Sequence, residues 1–346
     1  MRRWLLIVAA FLVFPSIGYA ASESTWVARE LKTGAYFYTV DEYGSCFIAG
    51  GDGGSVALSY DNGLTWSLDD WMGSDGDIVG LDAYTCSVGY AVNDAGEAFA
   101  VKGWGNNAPN RVAIASANEL TDVAAGGNDD AIAVGTRGLA YRTIDGGVSW
   151  TAMSTGTSNA LNAITAVSPS IWIAVGDGGT IVRGVKSGTS AGDISWTVIS
   201  SSTTVDLHDL DFIDNEDGVA VGDDGVFLQT TDAGASWSGL YISAPVANEN
   251  LYAISIKDHS TFGVISGSGT GSANGHGNYG FAYVTEDLGV EWTNTTVTNP
   301  FNPDLSTSPV MFDVSIREHF LTDGDAGVIG DDEIVVNAVG LVGSSG

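Results

Sequence analysis

Basic residues are scarce in this chain. Twelve Lys and Arg stand against 42 Asp and Glu in 346 residues, a formal net charge of −30. A field of that sign repels nucleic acid and anionic lipid headgroups, so neither is an expected partner. The simplest reading of the acidity is solubility in salty water. Cysteine is limited to two residues, proline to seven and histidine to four. Two Cys with no His near them in sequence do not make a zinc site, so no metal and no cofactor is expected. The glycine-rich turns lack the GK[ST] ending and the following helix of a phosphate loop. His208, His259, His276 and His319 are read without a nucleophile motif ahead of them, so no catalytic triad is assigned. The acidic run Asp209, Asp211, Asp214, Glu216 and Asp217 lacks EF-hand spacing and reads as a solvated turn.

Long apolar runs are also missing, with one exception at the start. Arg2 and Arg3 precede the run Trp4 to Phe14, and Gly18-Tyr19-Ala20 places small residues before Ala21. The run falls short of the ~20 residues that cross a bilayer and has the form of a secretory signal peptide. Residues 1–20 are therefore read as a leader and 21–346 as a single domain, periplasmic or secreted, monomeric, and not inserted in a membrane. Losing two basic and no acidic residues moves the formal charge from −30 to −32. Export makes a Cys46–Cys86 disulfide conceivable. The two lie at similar places in adjacent repeats, and a bridge needs Cα atoms within about 7 Å, so the spacing leaves the bond open.

What is abundant is glycine, at 47 residues, without a collagen period and among many β-branched residues. That composition indicates an all-β fold with many tight turns. Four segments repeat one form, S/T-x-D-x-G-x-x-W: Ser59 to Trp66, Thr143 to Trp150, Thr230 to Trp237 and Thr285 to Trp292. The hydroxyl and carboxylate can bond backbone N–H groups of their own turn, Gly supplies positive φ, and Trp starts the next strand. Asp61, Gly63, Trp66, Asp145, Gly147, Trp150, Asp232, Gly234, Trp237, Asp287, Gly289 and Trp292 are thus structural, and none is assigned as catalytic. Ser195-Trp196 is a remnant of a fifth copy.

Ahead of these boxes recurs an apolar run ending in a glycine turn, as at Ala49 to Gly54, Ala91 to Gly96, Ala133 to Gly138, Ala174 to Gly179 and Ala220 to Gly225. A weaker copy spans Gly327 to Asp332. One unit reads as strands Ile164–Val167, Ile171–Val175, Thr180–Arg183 and Trp196–Ile199. Four antiparallel strands per unit of about forty residues make a β-propeller. The Trp spacings predict seven blades, with an insertion at Gly267 to Gly280. The last unit has strands near Phe312–Ile316, Ala326–Ile329 and Glu333–Ala338 and no box. Residues 25–30, with Trp26, are expected to supply its fourth strand and close the ring.

The boxes resemble the Asp-box, or BNR, repeat of sialidases and related propellers. The fuller pattern, AVGDGGT followed by a box ending in Trp, is similar to the photosystem II stability and assembly factor family over nearly the whole mature chain. That resemblance implies a seven-bladed, exported or lumenal scaffold that binds membrane-protein intermediates. Photosynthetic members present an arginine patch. Here Arg29, Arg111, Arg137, Arg142, Arg183 and Arg317 are scattered over several units.

Two functional classes follow. The first is a non-catalytic interaction scaffold with a protein or glycan partner. Its binding face is expected at the turns between second and third strands, carrying Asp52, Asp94, Arg137, Asp177 and Asp223, with His208 near the mouth. The alternative is a carbohydrate-active propeller. A glycoside hydrolase would need two carboxylates facing each other across a cleft, and a sialidase three converging arginines.

Overall fold

The computed structural model describes residues 7–13, 28–29, 37–61, 63, 65–69, 76–103, 110–115, 119–239, 249–256, 263–269, 279–285, 293–295, 310–319 and 333–341. The strands form four-stranded antiparallel meanders. The first sheet pairs Phe37–Tyr43, Cys46–Gly51, Val56–Ser59 and Ser67–Asp69 in that order. The second pairs Ile78–Thr85, Val88–Asn93, Glu97–Lys102 and Asn110–Ala113, and the third Leu120–Ala125, Ala131–Gly135, Leu139–Thr143 and Thr151–Ser154. Leu161–Ser168, Ile171–Gly176, Thr180–Lys186 and Ile194–Ile199 make the fourth. Leu207–Phe212, Asp217–Gly222, Phe227–Thr231 and Ser238–Gly239 make the fifth. The strands expected from the fourth unit's sequence are therefore present, each longer by one to four residues.

The core lies between the sheets. Second strands are buried on both faces, which is why their sequences are unbroken apolar runs rather than alternating ones. In the fourth sheet, Trp172 and Ala174 pack toward Ile132, Val134 and Ala140 of the third. Their neighbours Ile173 and Val175 pack toward Leu207, Leu210 and Ala220 of the fifth. The same interleaving joins the first and second sheets around Phe99, Ile78 and Leu58, and the second and third around Tyr90, Leu120 and Val123. Fourth strands, such as Ile194–Ile199, are largely solvated.

First strands lie side by side in chain order: Phe37–Tyr43 beside Ile78–Thr85, then Leu120–Ala125, Leu161–Ser168, Leu207–Phe212 and Glu249–Ile256. Val310–His319 lies beside both Glu249–Ile256 and Phe37–Tyr43. Sheets packed face to face with their first strands innermost are the arrangement of a β-propeller.

Every first strand carries a register irregularity at one place. It falls between Phe37 and Thr39, Ile78 and Gly80, Leu120 and Asp122, Leu161 and Ala163, and Leu207 and Asp209. The second-to-third-strand turns repeat as well. Asp52–Gly54, Thr136–Gly138, Asp177–Gly179 and Asp223–Gly225 are single 3₁₀ turns whose middle residue is left-handed. Gly53 and Gly178 take that position without strain, but Arg137 and Asp224 hold φ of 57° and 56° there.

Two expectations change toward the C-terminus. Part of the insertion is regular: Gly263–Gly269 pairs with Tyr279–Thr285 along its whole length. Val310–His319 pairs directly with Glu333–Leu341, with no strand between them; Ala326–Ile329, expected there, lies outside the described residues. The third place in that sheet is taken by Ile7–Val13, the apolar run read as a leader. Ala28–Arg29 pairs on its far side, so the N-terminal segment reaches the expected sheet with the leader run interposed; Trp26 lies outside the described residues. The physical reason is edge satisfaction. A run of β-compatible apolar residues occupies the otherwise open edge of Glu333–Leu341.

The box glycines fix how closely neighbouring sheets approach. Gly147 is left-handed at φ 78°, and a side chain there would collide with Ala100 of the preceding sheet. Gly147→Ala is expected to cost about 2 kcal/mol or more through backbone strain and overpacking. Urea unfolding of the variant against the wild type checks this.

Candidate functional site

An innermost strand has one edge with no strand partner, and its amide groups need acceptors. Here aspartates of the preceding sheet supply them. Asp41 Oδ2 accepts the Ala83 N–H at 2.6 Å and Asp82 Oδ2 the Ala125 N–H at 2.9 Å. Asp122 Oδ2 accepts from Ile164 at 2.8 Å. Asp209 and Asp211 accept from Ile254 and Ile256 at 2.8 and 2.6 Å. All five sit at one of two register positions: just after the irregularity (Asp122, Asp209) or two residues further on (Asp41, Asp82, Asp211). The donor is always the residue after the matching position in the next sheet. These side chains line a central cavity of about 290 Å³ with Glu42 and Thr165. Asp209 and Asp211 are therefore strand residues that join sheets, which corrects their reading as part of a solvated turn. Only Asp214 caps such a turn, accepting from Glu216 and Asp217 N–H at 2.7 Å each.

The junction between the fourth and fifth sheets differs. The fourth sheet has Ala163 and Thr165 at the two positions, so no carboxylate reaches Leu210 or Phe212 N–H from it. Those amides donate instead to Asp209 and Asp211 Oδ1, at 2.8 and 2.7 Å, within their own strand. A crevice of about 280 Å³ opens at this junction, lined by Thr165, Val167, Asp211, Asp214 and Asn215 among others. Asn162 Nδ2 donates to the Leu207 carbonyl at 2.9 Å and joins the fourth and fifth sheets.

The three described boxes share one hydrogen-bond pattern. In the second of them, Thr143 Oγ1 donates to Asp145 Oδ1 at 2.8 Å and accepts the Gly147 N–H at 2.9 Å. Asp145 accepts Ser149 N–H at 2.9 Å and the Ser149 hydroxyl at 2.6 Å. Ser59, Asp61, Gly63 and Thr65 repeat this, as do Thr230, Asp232, Gly234 and Ser236. The tryptophans buttress the turns: Trp150 meets Tyr90 edge-on at 6.3 Å and Trp237 meets Phe212 at 6.2 Å, while Trp66 tilts against Phe47 at 6.5 Å. Asp287, Gly289 and Trp292 lie outside the described residues.

The fourth sheet has no box, and a buried cation takes over. Arg142, with a fully buried side chain, grips Asp130 through Nε and Nη2 at 2.7 and 2.6 Å. It also donates to the carbonyls of Ser190 and Ala191 in the loop that replaces the box, and lies over Trp172 at 5.4 Å. Lys186 adds a 3.0 Å contact to Asp130. Burial opposes the Asp130 charge, but Arg142 and Lys186 outweigh it and hold the carboxyl below its usual range. This loop contains Gly188-Thr189-Ser190-Ala191-Gly192, a G-x-S-x-G match that the sequence reading passed over. It joins two strands rather than a strand and a helix, and Ser190 N–H donates to Asp193 Oδ2 at 2.8 Å. It is not a nucleophile elbow.

Of the residues proposed for the binding face, Asp52, Asp94, Arg137, Asp177 and Asp223 lie on turns between second and third strands, and His208 lies in the first strand of the fifth sheet. Each also has an internal partner. Tyr38 OH donates to Asp52 Oδ1, Asp77 N–H to Asp94 Oδ1 at 2.8 Å, and Asn162 Nδ2 to Asp177 Oδ1 at 3.1 Å. Asp223 Oδ1 meets His208 Nε2 at 2.8 Å, and the imidazole packs on Tyr252 with centroids 5.2 Å apart. Arg137 pairs with Glu119. The turns also latch forward: Gly53 N–H donates to Asp77 Oδ1, Gly178 N–H to Asp206 Oδ1, and Asp224 N–H to Asn250 Oδ1. Arg111 pairs with Glu97, and Arg183 Nε donates to the Ala233 carbonyl at 2.8 Å. Arg111, Arg137, Arg142 and Arg183 are thus engaged singly, in different places. Among the described residues no group of three or more His, Cys, Asp or Glu is arranged to hold a metal. Cys46 and Cys86 are bonded, with Cα atoms 5.6 Å apart, joining the first and second sheets.

No family model matches the chain, and no curated protein matches it. Solved structures do. The GH74 enzyme of Niastella koreensis is similar with a TM-score of 0.63 and 14% identity, over 81% of this chain and 49% of that one. At that identity the likeness shows the fold, a β-propeller. Also similar are "YCF48 bound to D1 peptide", at TM-score 0.40 and 17% identity over 72% of this chain and 95% of that one, and YCF48 from Cyanidioschyzon merolae. The latter has a TM-score of 0.41 and 16% identity over 74% of this chain and 97% of that one.

The box carboxylates give a pH signature. Asp145 and Asp232 are held below the usual range, chiefly by the hydroxyl of Ser149 for the first and of Ser236 for the second. A depressed folded-state pKa adds stability above the unfolded value of about 3.9 and loses it as pH falls through the folded value. Asp145→Ala is expected to lose about 1–2 kcal/mol at neutral pH. In denaturant titrations its deficit should shrink as the pH drops below the ordinary aspartate range.

Proposed function

We infer that this chain is an exported, non-catalytic scaffold: a seven-bladed propeller that presents the second-to-third-strand turns to a protein or glycan partner. The observation that carries this reading is the contrast between its two ends. At the box end, the three described turns spend the same side chains on the same internal bonds. At the other end the backbone turn is shared, but its residues vary from Asp-Gly-Gly to Thr-Arg-Gly to Asp-Asp-Gly. Uniform geometry with variable side chains suits recognition. The acidity of Asp52, Asp177 and Asp223 favours a cationic partner surface. The test is capture of partners from the source organism by the wild type and by the Asp52→Lys, Asp177→Lys, Asp223→Lys triple variant. Capture should be lost in the variant while its fold persists by circular dichroism; the same partners on both proteins reject this face.

The ring is closed, in this reading, without the leader. Support comes from the place of Val310–His319 beside Phe37–Tyr43, and from register. Its irregularity falls between Met311 and Asp313, which puts Asp313 at the position held by Asp122 and Asp209. In this reading Asp313 joins the last sheet to the first. Asp313→Ala in the chain starting at Ala21 should lower Tm by about 3–4 °C, as loss of a charge-assisted bond of about 2–3 kcal/mol implies.

The rival carbohydrate-active reading draws on one feature, the adjacent carboxylates Asp41 and Asp82 in the central cavity. Both already serve backbone amides, which favours the structural role. Turnover of a polysaccharide, abolished by Asp41→Asn or Asp82→Asn, would decide for the enzyme.

A further inference from the structure

The large apolar side chains left exposed on this chain are unevenly placed. Among the described residues they are Tyr43, Tyr60, Tyr84, Ile144 and Val148, together with Leu68 and Val198. Leu68 and Val198 sit on outer fourth strands. The other five share one end, because in a meander the first-to-second-strand turn and the box turn fall on the same side. Tyr43 closes the first strand of the first sheet, and Tyr84 stands one residue before the end of that of the second. Tyr60, Ile144 and Val148 hold the second and sixth positions of the first two boxes. The box bonds use the first, third, fifth and seventh positions, so the turn itself asks for nothing apolar at the second and sixth. In the third described box those places hold Thr231 and Ala235. Exposed apolar residues gathered on one end, at positions the fold does not need them, mark an interaction surface.

We propose that the box end of the first three sheets is a docking surface for a basic segment of a protein partner, with Tyr43 and Tyr84 as its anchors. The two tyrosines hold the same place on innermost strands that lie side by side, after the irregularities at Thr39 and Gly80. Tyr43 pairs in register with Cys46, and Cys86, just past Tyr84, is bonded to that cysteine. The covalent link therefore holds together the segments that carry both rings, and anchors fixed in advance lose little freedom on binding. Tyrosine offers contact area and a ring face that attracts Lys and Arg. The charge at this end selects the same partner. The two described lysines, Lys102 and Lys186, and the buried Arg142 are taken up by Asp129 and Asp130. The carboxylates Asp61 and Asp145 stand beside Tyr60 and Ile144. Such a border repels anionic headgroups and attracts Lys and Arg, whose aliphatic stems can cover the apolar residues. This surface lies opposite the second-to-third-strand turns and does not rest on their reading as a binding face.

The experiment measures binding of a fluorescein-labelled peptide, repeats of Arg-Ala-Leu-Ala, by fluorescence anisotropy at physiological salt. Three proteins are compared: the wild type, Tyr43→Ser/Tyr84→Ser, and the Asp52→Lys, Asp177→Lys, Asp223→Lys variant of the opposite end. Both tyrosines are exposed, so their variant should keep the wild-type Tm. Its affinity for the peptide should fall about tenfold or more, while the variant of the opposite end should bind within about threefold of the wild type. Peptides with Ser in place of Leu, or Glu in place of Arg, should bind the wild type about tenfold more weakly or worse. Absence of binding to the wild type, or equal affinity of the tyrosine variant, overturns the proposal. A loss confined to the variant of the opposite end also overturns it, and leaves that other face standing. Equal binding of either control peptide overturns the partner's combined apolar and basic character. A concentration-dependent dimer, or binding to phosphatidylcholine vesicles, that is lost in the tyrosine variant would give the surface to a second copy or to lipid and overturn the basic partner.

Discussion

The structure depends on how a strand with one empty side is satisfied. Each sheet ends inward on a strand whose second edge has no neighbour to pair with, and an amide left without an acceptor there costs on the order of a full hydrogen bond. Aspartates at two register positions meet this need by reaching across to the next sheet. The bond does two things at once: it satisfies the amide and sets the spacing between adjacent sheets. Large apolar side chains then fill the space that this spacing leaves, and the box glycines permit the closest approach at the outer end.

The acidic character of the chain therefore has several sources. Some carboxylates are internal fasteners, some organise box turns, and some decorate the turns at the opposite end. A single net charge conceals that division. It also explains why an excess of acid is compatible with a closely packed interior: many of the negative groups are partnered by backbone dipoles rather than by the few cations. Arg142 is the contrasting case, a cation buried where the repeat pattern breaks, doing with one guanidinium what a Thr, an Asp and a Gly do elsewhere.

The repeat architecture was legible because box and glycine turn recur with side chains whose bonding is local. A hydroxyl two residues before a carboxylate and four before a glycine dictates its own turn, whatever surrounds it. The four strands of the fourth unit, though not their limits, followed from the apolar runs for the same reason. The fasteners were not legible, because Asp41, Asp82 and Asp122 act on amides some forty residues away and alternate between two register positions. No spacing rule along the chain reveals them until the strands are aligned. Asp209 and Asp211 were misread because a dense acidic run looks solvated in sequence, whereas its first members belong to a strand, Asp214 and Glu216 to a turn, and Asp217 to the start of the next strand. Arg142 was counted as one more scattered arginine, since nothing local marks it as buried. The placement of Ile7–Val13 could not be foreseen either, as an apolar run is equally suited to a leader and to a strand edge.

The five aspartate bonds between innermost strands all point the same way along the chain. The carboxylate comes first and its amide follows forty-two to forty-five residues later, from Asp41 to Ala83 through Asp211 to Ile256. At these five bonds a polypeptide delivered N-terminus first exposes the acceptor before the donor exists. Each finished sheet offers a prepared dock to the one being made, and assembly acquires a direction that the finished molecule, read as a ring, no longer displays.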